Sequence, residues 1–201
     1  MPRINAGYRE DAKKKIIDAA VDVAIEDGWG ALTLEAIAQK VGVTKGAFYS
    51  YFPSSVTLMQ DVILSMIRTM RDHVLSTLSE QDDIHAVIDQ IGTMIFLHPK
   101  PFLPVFIHAM ANIPKDPAFI EKISVLFDEN TGLFVKKFTR FQEVGQIPGD
   151  VDMDDAARAI YCMTIGLALT THMLKKDGAM SKRIWINSVE KILGIGSKKE
   201  S

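Results

Sequence analysis

The sequence has little of several features that define other classes of protein. Its 201 residues include a single cysteine, Cys162, so no disulfide can form within the chain and nothing indicates an oxidising compartment. No apolar run is long enough to cross a bilayer, and the opening residues, MPRINAGYREDAKKK, lack the apolar segment of a signal peptide. We therefore expect a soluble, cytoplasmic protein that has no membrane partner.

Strand patterns, internal repeats and clusters of chemically reactive residues are also lacking. No alternating apolar run is bounded by hairpin turns. There is no glycine-rich phosphate loop, nucleophile elbow or carboxylate pair, and no histidine pair has metal-ligand spacing with an acid as third ligand. We therefore expect no enzymatic activity, no metal site and no cofactor.

Charge is nearly balanced over the whole chain, with a formal net charge of -2, but it is unevenly distributed. Local charge, rather than net charge, decides whether a surface can meet phosphates. Bases outnumber acids at the start of the chain, and Lys40 and Lys45 add positive charge further on. Two readings stay open for the first group, which either lies along a phosphate backbone or forms a solvated tail: Arg3, Arg9, Lys13, Lys14 and Lys15.

Apolar residues at helical spacing are abundant and predict an all-α fold of about nine helices. The first apolar stripe runs from Ile16 to Ile25 and stops at Gly28. A second helix is predicted at residues 34–41 with Thr33 as its N-cap, and a third begins after a Thr44 cap and ends before Pro53. Longer helices are predicted at residues 54–79, 84–97, 102–112, 118–144, 154–174 and 182–193.

The segment LEAIAQKVGVTKGAFYSYF predicts two short helices joined by a tight turn. Ala38 is the small residue where the helices cross, and Gly42 tolerates the positive φ of the turn. The opposite face of the second helix offers small residues with Lys45 and Tyr49, which suit base edges and phosphates. The alternative is a plain helical corner with a solvated lysine and a half-buried tyrosine. The residues expected to point inward are Ile37, Val41, Val43, Phe48 and Tyr51.

Residues 14–52 resemble the N-terminal domain of the tetracycline-repressor (TetR) family. The resemblance is carried by Ala20 in the first stripe, by Gly28 and Thr33, and by the letters IA, GVTKG and FYSYF that follow. It implies a homodimeric transcriptional regulator, a repressor in most members, which leaves its operator when a small molecule binds. It also implies a three-helix, helix-turn-helix DNA-binding domain at residues 1–53 and a helical bundle for ligand binding and dimerisation at residues 54–201.

The resemblance further implies which positions contact double-stranded operator DNA. Phosphate contacts fall on Thr33 and Tyr49, with Tyr51 as a further candidate, and the positions nearest the bases begin at Thr44. One position departs from the family, which commonly has a lysine at the start of the fourth helix where this chain has Ser55. A serine can hydrogen-bond a phosphate but brings no charge. The full set is Thr33, Thr44, Lys45, Gly46, Tyr49, Ser50, Tyr51 and Ser55.

Beyond residue 53 the chain is rich in methionine and phenylalanine, which is typical both of a bundle core and of a pocket for a small hydrophobic effector. Both readings stay open for each residue. The candidates for the pocket lining are Met66, Met70, His73, Phe96, Phe106, Met110, Phe127 and Met163.

Small residues in the segment 154–174 and an apolar stripe in 182–193 predict a symmetric interface with two helices from each subunit. Each stripe can instead face the core of its own subunit. A dimer is expected because one short reading helix covers too few base pairs for specificity, so the operator should be a pseudo-palindrome. The candidate interface residues are Ala159, Met163, Gly166, Thr170, Trp185, Val189 and Ile192.

One rival function from another class stays open at this stage. The chain could be an all-helical protein that binds or transforms a small molecule, with an N-terminal helical corner that does not bind DNA. Binding to DNA that flanks the gene, weakening as salt rises, distinguishes the regulator from this rival.

Overall fold

The computed structural model describes residues 6–98, 102–112 and 116–196, and over these residues the chain is all-α, as expected. The described part contains nine α-helices and one short 3-10 turn, Trp29–Ala31, but no strand. No helix in the described part is long and apolar enough to span a membrane. The helices are α1 Ala6–Asp27, α2 Leu34–Val41, α3 Lys45–Tyr51, α4 Ser55–Glu80, α5 Ile84–Phe96, α6 Phe102–Asn112, α7 Pro117–Glu143, α8 Met153–Met173 and α9 Gly178–Ile192.

Two helices begin earlier than their apolar stripes predict. α1 begins at Ala6, so Arg9 and the lysines that follow it belong to a helix, and contact of these cations with a phosphate backbone stays a prediction. α1 begins this early because the polar segment before Ile16 is made of good helix formers, which extend a helix without an apolar stripe. α9 begins at Gly178 because the side chain of Asp177 accepts hydrogen bonds from the next helical N–H groups.

The chain divides into two compact units. The first unit comprises Met1–Thr69 and Val105–Phe119, and the second comprises Met70–Pro104 and Ile120–Ser201. The units therefore change over within α4, α6 and α7 rather than in the loop before α4. The functional boundary between residues 53 and 54 stays a prediction.

The core of the first unit is built where α1, α2 and α3 pack together. Buried side chains from all three helices meet there, and Leu32 adds one from the connection between α1 and α2. Burial of a valine, leucine, isoleucine or phenylalanine side chain contributes roughly 1.5–3 kcal/mol, so these contacts stabilise short helices that would not form alone. The set is Ile16, Ala20, Val23, Ala24, Leu32, Ile37, Ala38, Phe48 and Phe52.

The core of the second unit lies between α5, α8 and α9. α5 and α9 approach closely at two glycines: a Cβ at Gly92 would lie 3.3 Å from the Trp185 ring, and one at Gly178 would lie 2.6 Å from the carbonyl oxygen of Phe96. Lys182 and Asp89 add an ion pair of 2.7 Å between the same helices. Small residues at these points therefore set the distance between α5 and α9.

Two residues predicted at the dimer interface belong to this core instead. The side chains of Trp185 and Val189 are 2% and 1% exposed within a single chain, so for them the interface prediction is wrong. The apolar stripe of α9 faces its own subunit, because α9 has to cover α5 and α8. The other candidates stay predictions: Ala159, Gly166 and Thr170 are exposed, and Met163 and Ile192 are half-buried against the core.

Candidate nucleic-acid interface

α2 begins and ends where local chemistry requires. The Oγ1 of Thr33 accepts a hydrogen bond of 3.1 Å from the N–H of Ala36, which confirms Thr33 as the N-cap. At the other end, the N–H groups of Gly42 and Val43 both donate to the carbonyl of Ala38, over 2.9 and 3.1 Å. Gly42 has φ +76°, a conformation that favours glycine, so the predicted turn is confirmed.

α3 follows that turn and divides into a buried and an exposed face. Phe48 is 2% exposed and packs into the core, whereas its neighbour Tyr49 is 58% exposed. Thr44, Gly46 and Ser50 are also exposed, and the side chain of Lys45 lies outside the described residues. The outward face predicted for this helix therefore contains an aromatic side chain among small and hydroxyl-bearing residues.

The inward face is narrower than the sequence predicts. Ile37 and Phe48 are buried, but Val41, Val43 and Tyr51 are only half-buried. α3 has seven residues, about two turns, so few of its positions can point to one side. The second full anchor is Phe52, which follows the helix and is buried as completely as Phe48.

The residues at the starts of α3 and α4 differ in how their hydroxyl groups are used. Thr44 occupies the N-cap position of α3, but its side chain makes no capping hydrogen bond, contrary to the prediction. Ser54 does cap the helix that follows, since its Oγ accepts from the N–H of Thr57 over 3.1 Å. Ser55 is therefore the first residue of α4 and is exposed, at the position where the TetR family commonly has a lysine.

Several cations near these helices are already paired within the first unit. Lys40 lies 2.7 Å from Glu26 and 4.0 Å from Asp22, and its hydrogen bond to Glu26 raises the pKa of the lysine. Lys14 lies 2.8 Å from Asp18, whose hydrogen bond likewise raises the lysine pKa. Both lysines stay positively charged at neutral pH, but each is held beside a carboxylate, so each offers less to a phosphate than an unpaired cation would.

Arg9 is held differently. Its Nη2 donates a hydrogen bond of 2.9 Å to the main-chain carbonyl of Ser50, on α3. A carbonyl is neutral, so this contact orients the guanidinium group without cancelling its charge. Arg3 lies outside the described residues.

The candidate pocket residues are distributed over both units and stay a prediction. In the first unit Met66 is buried, and Phe106 and Met110 are half-buried. In the second unit Phe96 is buried against Trp185, with ring centroids 6.1 Å apart, and His73 is exposed. Met70 and Met163 pack against the core of that unit, and Phe127 is half-buried.

The second unit contains a cluster of aromatic rings next to the buried side chain of Asn130, and the sequence does not predict this cluster. The Tyr161 ring meets the Phe127 ring edge-on at 4.8 Å and lies 6.2 Å from the Phe134 ring. Burial raises the pKa of Tyr161, and a hydrogen bond with Asn130 acts in the opposite direction. Asn130 is almost fully buried, which no local sequence signal indicates, since asparagine is usually exposed.

Sequence reasoning also missed a pairing at the start of α5. The Nδ1 of His85 lies 2.9 Å from an oxygen of the buried Glu190. The partners are 105 positions apart in the sequence, so spacing could not reveal the contact. Within the described ranges, no group of three His, Cys, Asp or Glu side chains is arranged to hold a metal ion.

α2 and α3 are two short helices joined at Gly42, which has positive φ. α3 buries Phe48 and exposes Tyr49. This arrangement is a helix-turn-helix motif. Residues 16–62 match the family model described as "Bacterial regulatory proteins, tetR family". The N-terminal part of the chain is thus similar to regulatory proteins of the TetR family.

The chain is also similar to curated relatives and, in fold, to solved structures. The chain is 40% identical over 65 residues to the HTH-type transcriptional regulator SrpR of Pseudomonas putida, a match that covers 32% of this chain and 30% of SrpR. It is 26% identical over 171 residues to TtgR of Pseudomonas putida, covering 79% of each chain. The structure of a TetR transcription regulator from Haloarcula marismortui, 18% identical, matches with a TM-score of 0.68 over 92% of this chain and 97% of that one. The stronger sequence match thus spans about a third of its relative, and the structural match shows the shared fold.

Proposed function

We propose that the chain is a homodimeric transcriptional regulator that binds operator DNA through α3 and is released by a small hydrophobic effector. The observation that carries the proposal is the contrast between Phe48, 2% exposed, and Tyr49, 58% exposed, on a short helix that follows a glycine turn. An exposed tyrosine can pack its ring against a binding partner and form a hydrogen bond to that partner through its hydroxyl group. The function requires no catalytic step, and its place is the cytoplasm, where the DNA is.

Each of the predicted DNA-contact residues has a role in this proposal. Thr44, Lys45 and Gly46 lie nearest the bases, because the N-terminal residues of a recognition helix contact base edges. Tyr49 gives its hydroxyl to a phosphate, with Ser50 beside it. Three further residues contact the DNA backbone next to α3: Thr33, Tyr51 and Ser55.

A mobility-shift assay with DNA flanking the gene tests this function. The wild-type chain should retard the DNA at low salt and less at high salt, because phosphate contacts release counterions. Tyr49→Ala and Lys45→Ala should weaken binding, whereas Val144→Ala and Lys191→Ala, at exposed positions of the second unit, should not. A folded chain that shifts none of the flanking DNA would contradict the proposal.

The proposed dimer joins two copies through the exposed faces of α8 and α9. Although Trp185 and Val189 are buried, these helices also carry exposed apolar side chains: Leu169 and Met173 on α8, and Met180 and Ile184 on α9. Gly166 lies on α8 with nothing within 4 Å of where its Cβ would be, which permits close approach of a second copy.

Sedimentation of a charged variant tests the dimer. Gly166→Glu should give monomers, because it places a carboxylate in the apolar contact between the copies. Gly132→Glu is the matched control, since Gly132 is also exposed within a helix and has nothing within 4 Å of its Cβ position. An unchanged dimer in Gly166→Glu would contradict this interface.

The effector is proposed to be small and hydrophobic, bound within the bundle. The support is the half-buried aromatic side chains of the second unit, with Phe127 in contact with Tyr161. An effector can shift the chain to a state that does not bind DNA only by as much as its affinities for the two states differ. A thermal-shift screen of apolar small molecules identifies candidates, and a true effector should also abolish the mobility shift.

A further inference from the structure

The recognition helix α3 is too short to hold its own position. A helix leaves its last four carbonyl groups without partners inside the helix, and α3 has only seven residues, Lys45–Tyr51. At its end, the N–H of Phe52 closes one hydrogen bond of 2.9 Å to the carbonyl of Phe48. The carbonyl of Ser50 lies beyond that last internal bond, so it can accept a hydrogen bond from another part of the chain.

α1 supplies that partner. The Nη2 of Arg9 donates to the Ser50 carbonyl over 2.9 Å, across 41 positions of sequence. Residue 13 lies one helical turn after residue 9 on the same face of α1, and the Nζ of Lys13 lies 5.9 Å from the centre of the Phe52 ring. Two successive turns of α1 therefore hold the carboxyl end of the recognition helix, one through a carbonyl and one through a ring.

The charge of Arg9 suits this location. The carboxyl end of a helix carries partial negative charge, which a guanidinium group stabilises. Within the described part of the chain, Arg9 has no carboxylate partner, in contrast with Lys14 and Lys40. Its charge is therefore directed to the end of α3 and not to an acidic side chain.

We propose that Arg9 is a positioning residue for operator recognition, which fixes the pose of α3 through the Ser50 carbonyl while Lys13 holds Phe52. The inference rests on the proposed function, because it assumes that α3 reads DNA. In this proposal Arg9 raises the affinity for the operator sequence by positioning α3, and it does not itself contact a phosphate.

The first test uses the protein without DNA. Amide hydrogen exchange at residues 49–52 should be faster in Arg9→Ala than in wild type, because the end of α3 loses its tether. Lys15→Ala is the matched control, since Lys15 is an exposed cation on the same helix, and exchange at residues 49–52 should not change. Unchanged exchange in Arg9→Ala would overturn the proposal whether or not the chain binds DNA.

The second test measures affinity for two duplexes at several salt concentrations. One is the sequence that the wild-type chain enriches from random duplex DNA, and the other is its scrambled form. Arg9→Ala should bind the enriched duplex about tenfold more weakly, as expected for losing a charge-assisted hydrogen bond. Its affinity for the scrambled duplex and its salt dependence should match wild type, and Arg9→Lys, which restores a cationic donor, should recover most of the loss.

Other results contradict the positioning role. Arg9→Ala could lose equal affinity for both duplexes, with the slope of log affinity against log salt concentration reduced by about 0.9 per lost contact. That result would show that Arg9 contacts phosphate directly. Equal losses with a lower melting temperature and no recovery by Arg9→Lys would show a merely structural role. If the wild-type chain enriches no sequence, the proposed function fails; if it enriches one that Arg9→Ala binds equally well, only this inference fails.

Discussion

The indole nitrogen of Trp185 donates a hydrogen bond of 2.7 Å to the Oγ1 of Thr164, and this contact joins α9 to α8 within one subunit. Thr164 in turn donates to the carbonyl of Ile160 over 2.6 Å, so its hydroxyl acts as donor and acceptor at once. A buried tryptophan N–H needs such a partner. Trp185 is therefore fixed in the core of its own chain.

Removing the acceptor of this bond should destabilise the subunit. Thr164→Val keeps the side-chain shape but leaves the buried Trp185 N–H unpaired, which should lower the free energy of unfolding by about 1–3 kcal/mol. Urea unfolding at a fixed protein concentration measures the change. Thr93→Val is the control, because Thr93 is exposed and bonds only to the carbonyl of Asp89. Equal stability of the two variants would contradict the role given to Thr164.

Thr33 should contribute to stability through its cap. Thr33→Ala removes the acceptor for the Ala36 N–H and should lower the free energy of unfolding by about 1 kcal/mol. Thr33→Ser keeps the hydroxyl and should remain close to wild type. Thermal or urea unfolding of wild type, Thr33→Ala and Thr33→Ser measures the effect. If Thr33→Ser loses as much stability as Thr33→Ala, the capping hydrogen bond is not the cause.

Gly178 should not tolerate a side chain. The Cβ of Gly178→Ala would lie 2.6 Å from the carbonyl oxygen of Phe96, so α9 has to move away from α5, at a cost of about 1–3 kcal/mol. Gly132→Ala has nothing within 4 Å of its Cβ and should instead stabilise α7 by about 0.5–1 kcal/mol. Urea unfolding measures the change in the free energy of unfolding for each variant. A change of the same sign in both variants would refute the close contact at Gly178.

Tyr161 should ionise at a higher pH than a tyrosine free in water. Burial disfavours its phenolate, so its pKa lies above the ordinary value of 10.0. Because the folded pKa is raised, folding is undisturbed below pH 10.0 and loses stability as pH rises above it, where the unfolded chain releases the proton more readily.

An absorbance titration of the tyrosines checks this order. The chain has four tyrosines, and Tyr161→Phe should remove a late step of the titration. Loss of an early step in Tyr161→Phe would contradict the effect of burial.

The parts of the fold that sequence predicts well are those with local causes. α2 has the predicted bounds because Thr33 starts it and Gly42 stops it, and both signals lie next to the helix. The direction in which an apolar stripe faces depends on the packing of distant helices, so the sequence does not show that Trp185 faces the core of its own chain. The contact of Arg9 with Ser50 depends on the packing of α1 against α3, which spacing along the chain cannot reveal.

Selection from a random library of duplex DNA tests most directly whether two copies of α3 read a pseudo-palindromic operator. The wild-type chain should enrich a sequence with two related half-sites whose centres are about 10–10.5 base pairs apart, or a multiple of that spacing. Tyr49→Ala should bind that sequence more weakly than wild type. Enrichment of no sequence by the folded wild-type chain, or of a single half-site without a partner, would contradict the proposal.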